Sequence, residues 1–229
     1  MKKNLSPRPP EKTPRPFLAS LLSSIRKLTG GNRFENLYDA TKSIILSLNV
    51  KNIRLLDYGC GTMSFSSRLK DDGLISEFIG MDIYAKPLNI ENEHKWENYI
   101  QIKSNGILKG LGKFDFALLI DVLHHAKEED QEIILRELSL VSSLILVKDH
   151  FEYGLISRSL LRLADWYGNY AYGVSIPRKY FNKESWYKLV QSAGLIEVVI
   201  EKNIRVHDGI FGIIIRPKNH FISILKQAV

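Results

Sequence analysis

Residues 55–64 read Leu-Leu-Asp-Tyr-Gly-Cys-Gly-Thr-Met-Ser, a buried strand that turns through two glycines into a helix, and this stretch decides the fold. Glycines are needed where backbone approaches a ligand closely or adopts a left-handed conformation. Asp57 directly precedes the glycines, where its charge would repel the phosphates of a dinucleotide and attract a cationic ligand. Ser64 stands where a dinucleotide-binding loop has its third glycine. The loop therefore predicts a ligand-binding turn that departs from the dinucleotide pattern.

A second acid supports this interpretation. Asp82 ends the next apolar run, 21 residues after Gly61. A carboxylate at that position can accept hydrogen bonds from both hydroxyls of a ribose, although an isolated strand-end acid is as often simply solvated. We expect Ile83 and Tyr84, which follow, to flank the base of a bound nucleoside.

Beyond residue 50, short apolar runs alternate with helical patterns, which is typical of a parallel sheet covered by helices on both faces. The runs predict five strands, at Ile53–Leu56, Ser76–Met81, Tyr99–Ile102, Phe114–Ile120 and Leu144–Val147. Intervening helices are predicted at Met63–Lys70, near Glu91–Trp96 and at Glu128–Val141.

The end of the chain differs from the alternating part. Asn182 is a suitable N-cap for a helix that stops at Gly194. Two β-rich runs follow, Leu195–Val206 and Ile210–Arg216, and the Asp-Gly between them is a hairpin signal. The predicted fold class is therefore α/β: a Rossmann-like, seven-stranded, mostly parallel sheet with a C-terminal antiparallel hairpin and helices on both faces.

The net charge of +7 belongs to the start of the chain, because residues 1–33 hold eight Lys or Arg against one acid and the remainder holds 24 of each sign. A neutral body argues against a broad nucleic-acid-binding face. Residues 1–16 contain five prolines and predict a flexible arm. Residues 17–28 predict a basic amphipathic helix with three interpretations: it covers the ligand cleft, lies on a membrane surface, or is a targeting peptide.

Composition bounds the remaining possibilities. At 229 residues we expect an arm and helix over 1–33, one folded domain over 34–217 with a lid insertion at 151–181, and a C-terminal tail over 218–229. The only cysteine, Cys60, allows no internal disulfide and no cysteine-rich zinc centre, so no metal site is predicted. This composition predicts a cytoplasmic protein, with membrane association left open by the N-terminal helix.

Candidate catalytic residues follow two strands. His124 and His125 come after the fourth predicted strand, and Asp149 and His150 after the fifth. Ligands of open α/β sheets bind at these strand ends, and histidine can act there as a general base. The lid insertion carries an amphipathic helix and an aromatic run at 165–173, which either roofs a flat or apolar substrate or only packs the lid.

Taken in order, these motifs resemble those of the class I S-adenosylmethionine-dependent methyltransferases. They are most similar to the methyltransferase type 11-like group that includes the ubiquinone and menaquinone C-methyltransferases. The resemblance covers about residues 34–216 and is carried by Asp57-Tyr58-Gly59-Cys60-Gly61-Thr62, Gly80-Met81-Asp82, Phe114-Asp115 and Leu119-Ile120-Asp121-Val122-Leu123-His124-His125.

The resemblance implies S-adenosyl-L-methionine as cofactor and methyl donor. By position it implies donor contacts from Asp57, Gly59, Cys60, Gly61, Asp82, Ile83, Asn105, Gly106, Asp121 and Val122. Two departures matter, because the family often has glycine where this chain has Met63, and aspartate where it has Asn105. A bulky Met63 at the helix start puts donor affinity in question, whereas the Asn105 side chain can still accept a hydrogen bond from adenine.

The predicted function is in-line methyl transfer to a small, aromatic or lipid-like acceptor, for which positioning and desolvation matter most. The predicted partners are this small-molecule acceptor and, through the N-terminal helix, a peripheral membrane contact. Two alternatives stay open. One is an RNA or protein methyltransferase whose basic tail supplies the electrostatics. The other is a catalytically inactive assembly factor that keeps only the fold.

Overall fold

A computed structural model describes residues 32–85, 97–102, 108, 110–169 and 174–228. Several predicted features lie outside the described residues: the arm and amphipathic helix of residues 1–31, the helix near Glu91–Trp96, the pair Asn105-Gly106, and residues 170–173 of the aromatic run.

The seven strands follow one another through the chain and form one sheet. They are β1 (Ile53–Tyr58), β2 (Ile75–Asp82), β3 (Tyr99–Gln101), β4 (Phe114–Ile120), β5 (Ser142–His150), β6 (Leu195–Lys202) and β7 (His220–Gln227). Their order in the sheet is β3-β2-β1-β4-β5-β7-β6. The five strands from β3 to β5 are parallel, and β7 pairs antiparallel with both β5 and β6. The predicted mixed sheet is thereby confirmed.

Among the described residues, six α-helices connect or flank these strands. They are α1 (Arg33–Ser47), α2 (Ser64–Asp71), α3 (Glu128–Val141), α4 (Leu155–Asn169), α5 (Lys183–Ser192) and α6 (Gly209–Ile214), with 3₁₀ turns at Leu123–His125 and Pro217–Asn219. The predicted cap of α5 is confirmed, since the Asn182 side chain accepts a hydrogen bond from the Ser185 N–H and the Ser185 hydroxyl accepts one in return.

One part of the C-terminal prediction is wrong. Residues Ile210–Arg216, predicted as the second hairpin strand, form the short helix α6 and the turn after it. The antiparallel partner of β6 is instead β7, which lies within the predicted tail 218–229. A short apolar run fits either a strand or a helical turn. Here β7 takes the position beside β6 in the sheet, and residues 209–214 form a helical turn.

Successive residues in the central strands point to opposite faces, so the sheet separates two apolar cores. Leu56, Ile145 and Val147 belong to one core, whereas Leu55 and Leu146 belong to the other. Six consecutive residues of β7 are buried, because this strand is covered on both faces. Within the described part of the chain, no helix combines the length and apolar character needed to cross a bilayer.

Because β7 is buried in the sheet, substitutions in it are expected to destabilise the protein, although the sequence predicts a tail at these residues. Ile224→Ala removes a fully buried side chain and is expected to lower the free energy of unfolding by about 2–5 kcal/mol. Lys226→Ala, at an exposed position of the same strand, should change it by less than about 0.5 kcal/mol. Urea unfolding measures both variants, and equally small effects would place β7 outside the core.

Candidate functional site

The loop between β1 and α2 is held in a conformation that few residues adopt. Gly59, Gly61 and Met63 have positive φ angles of 75°, 52° and 54°. The N–H groups of Gly59 and Cys60 both donate to the carbonyl oxygen of Met81, at 2.7 and 3.0 Å. These bonds fix the loop at the carboxyl end of β2, next to the point where strand order reverses between β1 and β4.

Two close approaches explain why glycine stands at position 59 in the loop and at position 80 in β2. A Cβ atom on Gly59 would lie 2.5 Å from Val122 Cγ2, so only glycine lets the loop touch the segment after β4. A Cβ atom on Gly80 would collide with the side chain of Met63. Met63 itself is fully buried and packs in the core against Gly80, so its bulk fills the interior and not the outer side of the loop.

Asp57 is a buried carboxyl at the end of β1, and the Ser66 hydroxyl donates a hydrogen bond to its Oδ2 atom. Burial raises the pKa of Asp57 to about 7, the Ser66 hydrogen bond opposes the rise, and the charge of Asp82 adds to it. A cation placed beside Asp57 would favour the ionised form.

Asp82 closes the loop from the neighbouring strand. Its Oδ2 atom accepts a hydrogen bond from the Gly61 N–H at 2.8 Å, and its Oδ1 atom accepts one from the Tyr84 N–H at 3.2 Å. Burial raises the pKa of Asp82, although these backbone donors counteract it. Ile83 lies beside it at an exposed position. Burial also raises the pKa of the Cys60 thiol far above its ordinary value, so Cys60 is a poor nucleophile.

A second group of polar residues lies where β4 and β5 end. Asp121 has a positive φ of 55° and forms ion pairs with Lys148 and with Arg33, the latter at 2.5 Å. Lys148 is a fully buried residue of β5. Burial alone would raise the pKa of Asp121, but the charges of Lys148, His150 and Arg33 outweigh burial and hold this pKa well below its ordinary value. Asp121 is therefore ionised, and its ion pairs join the end of β4 to α1 and to β5.

His124 lies at the centre of the second group. Its Nδ1 atom is 2.7 Å from Asp149 Oδ1, and its Nε2 atom is 3.5 Å from Asp165 Oδ2 without forming a hydrogen bond. Burial opposes a charge on the ring, but the Asp149 carboxylate outweighs burial and raises the pKa of His124 to about 10. The same attraction lowers the pKa of Asp149 against the effect of its burial.

His125 and His150 differ from His124 in charge. The Nδ1 atom of His125 lies 2.7 Å from the carbonyl oxygen of Ser175, which can only accept, so Nδ1 carries the hydrogen and Nε2 keeps a lone pair. Burial and the neighbouring His124 lower the pKa of His125 to about 4. Burial and Lys148 also lower the pKa of His150. The four predicted catalytic residues, His124, His125, Asp149 and His150, are thus brought together.

Sequence reasoning missed several members of this group. They are Arg33, Lys148, Asp165, Tyr180, His207 and His220. The Tyr180 hydroxyl donates to Asp165 Oδ2 at 2.5 Å, and its ring lies 5.4 Å from that of His124. His220 is fully buried at the start of β7, and burial lowers its pKa well below the ordinary value. The signal that could have found Lys148 is its position before Asp149 and His150, three ionisable residues in succession after an apolar run.

The chain matches one family model of known proteins. A family model described as "Methyltransferase domain" matches residues 31–199 of the chain. No curated protein sequence matches the chain at a significant level.

Several solved structures share the fold at low sequence identity. An S-adenosylmethionine-dependent methyltransferase from Clostridium acetobutylicum ATCC 824 has a TM-score of 0.64 at 11% identity, over 93% of this chain and 99% of that one. The 1,6-didemethyltoxoflavin-N1-methyltransferase of Burkholderia thailandensis, solved with 1,6-didemethyltoxoflavin and S-adenosylhomocysteine, has 0.59 at 13%, over 96% and 92%. The magnesium protoporphyrin IX methyltransferase of Synechocystis PCC 6803, solved with S-adenosylhomocysteine, has 0.57 at 16%, over 84% of each chain.

The raised pKa of Asp57 predicts a pH-dependent stability. The unfolded carboxyl ionises near 3.8 and the native one near 7, so the native state binds the extra proton between these values and stability falls as pH rises through them. Asp57→Asn keeps an acceptor for Ser66 and removes the buried charge. It is expected to raise the free energy of unfolding at about pH 8 by about 2–4 kcal/mol.

Urea unfolding at about pH 4.5 and about pH 8 measures this effect. The gain from Asp57→Asn should shrink at the lower pH, whereas the exposed control Asp71→Asn should leave the pH dependence of the wild type unchanged. An equal gain at both pH values would show that Asp57 does not titrate in this range.

Proposed function

This chain belongs to the methyltransferase-domain family, and from that premise we propose that it transfers a methyl group from S-adenosylmethionine to a small, flat or apolar acceptor. One observation is the main support for this proposal. The Asp82 carboxylate accepts a hydrogen bond from the Gly61 N–H of the glycine loop. This contact lies at the carboxyl ends of the parallel strands, where α/β sheets with this strand order bind their ligands.

The residues present fit this donor better than a dinucleotide. A Cβ atom on Gly61 would meet nothing within 4 Å, so backbone at this glycine faces open space that a ligand can enter. Asp57 and Asp82 give the loop a negative potential, which favours a cationic nucleoside over one that carries phosphates. Val122 contacts Gly59 and would form the wall between the donor and the acceptor side.

When bound, S-adenosylmethionine supplies an activated methyl group, whose transfer breaks a carbon–sulfur bond and forms a bond to the acceptor. The chain's own residues need only bind, orient and exclude water in such a displacement. Asp57 would hold the amino group of the donor and Asp82 its ribose. The residues after β4 and β5 would bind the acceptor, since His125 offers a lone pair there that no proton occupies at neutral pH.

The acceptor proposal rests on the lid. Asp165 and Tyr180, from the lid insertion, reach His124, and the rings of Tyr180, His124 and His150 lie edge-on or tilted to one another. Rings grouped in this way could line a pocket for a flat or apolar molecule. Two of the structural neighbours are named for methylation of magnesium protoporphyrin IX and 1,6-didemethyltoxoflavin, which are small molecules and support this class.

Donor binding is the first test. Calorimetry with S-adenosylmethionine and S-adenosylhomocysteine is expected to give micromolar binding of both, and Asp82→Asn should weaken it about ten- to a hundredfold because ribose hydrogen bonds to a charged group are lost. The exposed control Asp71→Asn should bind as the wild type does. Absence of binding by the wild type to either ligand would favour an assembly factor that lacks donor binding.

The class of acceptor needs a separate experiment. Mass spectrometry of metabolites from cells with and without the protein is expected to show a small molecule whose mass differs by one methylene group, and the amount of this product should fall when Asp82→Asn replaces the wild type. Methylated RNA or protein in place of a small molecule would overturn the acceptor class while leaving the donor proposal intact.

A further inference from the structure

We propose that His124, His125 and Asp165 form a binding site for one divalent transition-metal ion, of which Zn²⁺ is the probe we choose. One ligand atom from each of the three residues lies within 4.8 Å of the others. The sequence predicts no metal site because it has a single cysteine, Cys60, but two imidazoles and a carboxylate are a ligand set that zinc and its neighbours in the first row accept.

The distances suit a shared ion. His124 Nε2 and Asp165 Oδ2 are 3.5 Å apart. Two ligands bound at about 2.1 Å with a near-tetrahedral angle are separated by about 3.4 Å. His124 Nε2 is also a fully buried ring nitrogen without a hydrogen-bond partner among the described residues. An unpaired polar atom in such a position is costly unless something else satisfies it.

Each of the three side chains is oriented by a different hydrogen-bond partner. Asp149 accepts from His124 Nδ1, and the Ser175 carbonyl accepts from His125 Nδ1. The Tyr180 hydroxyl donates to Asp165 Oδ2, the oxygen that also faces His124 Nε2. Histidines that bind metals nearly always donate their other ring N–H to a carboxylate or a backbone carbonyl, which orients the ring toward the ion. Both histidines have such a partner at Nδ1. His124 is protonated without a metal, so the ion would bind by displacing its Nε2 proton to solvent.

A second set of possible ligands lies close by and is less suited. Asp121, His124 and His150 also bring three ligand atoms within 4.8 Å of one another. In that set the Asp121 Oδ1 atom is already paired with the Lys148 ammonium, which is fully buried and would repel a cation. The two sets can be distinguished by experiment, because Asp165 is a ligand only in the first set and His150 only in the second.

The proposed ion would connect the lid to the sheet. His124 and His125 belong to the turn after β4, whereas Asp165 lies on the lid helix α4. Three protein ligands leave at least one coordination position open. If the proposed function holds, that position would take an oxygen of the acceptor, and the His125 lone pair would act on the acceptor through the ion. The favoured acceptors would then carry a hydroxyl, phenol or carboxylate group.

Titration of the full, untagged chain with Zn²⁺ after removal of bound metal by a chelator tests the site. Calorimetry should give one ion per chain, and Co²⁺ should give visible absorption bands of a site with nitrogen and oxygen ligands. Asp165→Asn and His125→Asn are each expected to weaken Zn²⁺ binding at least about tenfold. His207→Gln, a half-buried histidine outside the set, and His150→Gln should bind as the wild type does.

Two results would overturn the site: no saturable Zn²⁺ binding by the wild type, or binding that His150→Gln removes and Asp165→Asn retains. Binding of S-adenosylhomocysteine by each variant shows that it is folded and tests the donor site separately. A wild type that binds Zn²⁺ but not S-adenosylhomocysteine would therefore retain the metal site and refute the donor proposal.

Discussion

The ion pair between Lys148 and Asp121 is the interaction on which the polar end of the sheet depends. A fully buried ammonium group needs a partner of opposite charge, and Asp121 provides it from a left-handed backbone position at the end of β4. Val122 follows directly and touches the glycine loop, while His150 contacts Asp121 from β5. The glycine loop and the ionisable residues at the ends of β4 and β5 thus meet near one carboxylate, and loss of either charge would leave the other buried and unpaired.

Burying so many ionisable groups does not by itself stabilise the protein, since the desolvation of each charge offsets much of the attraction between them. Asp57, His124 and His125 have pKa values moved in different directions by burial and by neighbouring charges, within one end of the sheet. Groups shifted in this way gather at functional sites more often than elsewhere. Their position at the strand ends therefore supports the proposed function.

Much of this fold and part of this site can be predicted from the sequence. The bounds of β4 and α3 agree with the predicted Phe114–Ile120 and Glu128–Val141, because each has a strong local pattern. The glycine loop is also a local signal. The contacts of Asp165 and Tyr180 with His124 join residues far apart in the chain, and no spacing rule reveals them. The position of Met63 is a similar case, since its burial against Gly80 depends on how β1 and β2 pair.

The placement of β7 has a consequence for how the molecule assembles. Strand β7 follows β6 in the chain but lies between β5 and β6 in the sheet, and in the described sheet β6 is hydrogen-bonded to β7 alone. During synthesis β5 and β6 therefore emerge before the strand that pairs with both of them. Until β7 follows, β6 has no neighbour to pair with and β5 has an open edge. Exposed edges of this kind template pairing with other chains. A nascent chain that pauses between β6 and β7 would thus be vulnerable to aggregation, and insertion of β7 closes the sheet.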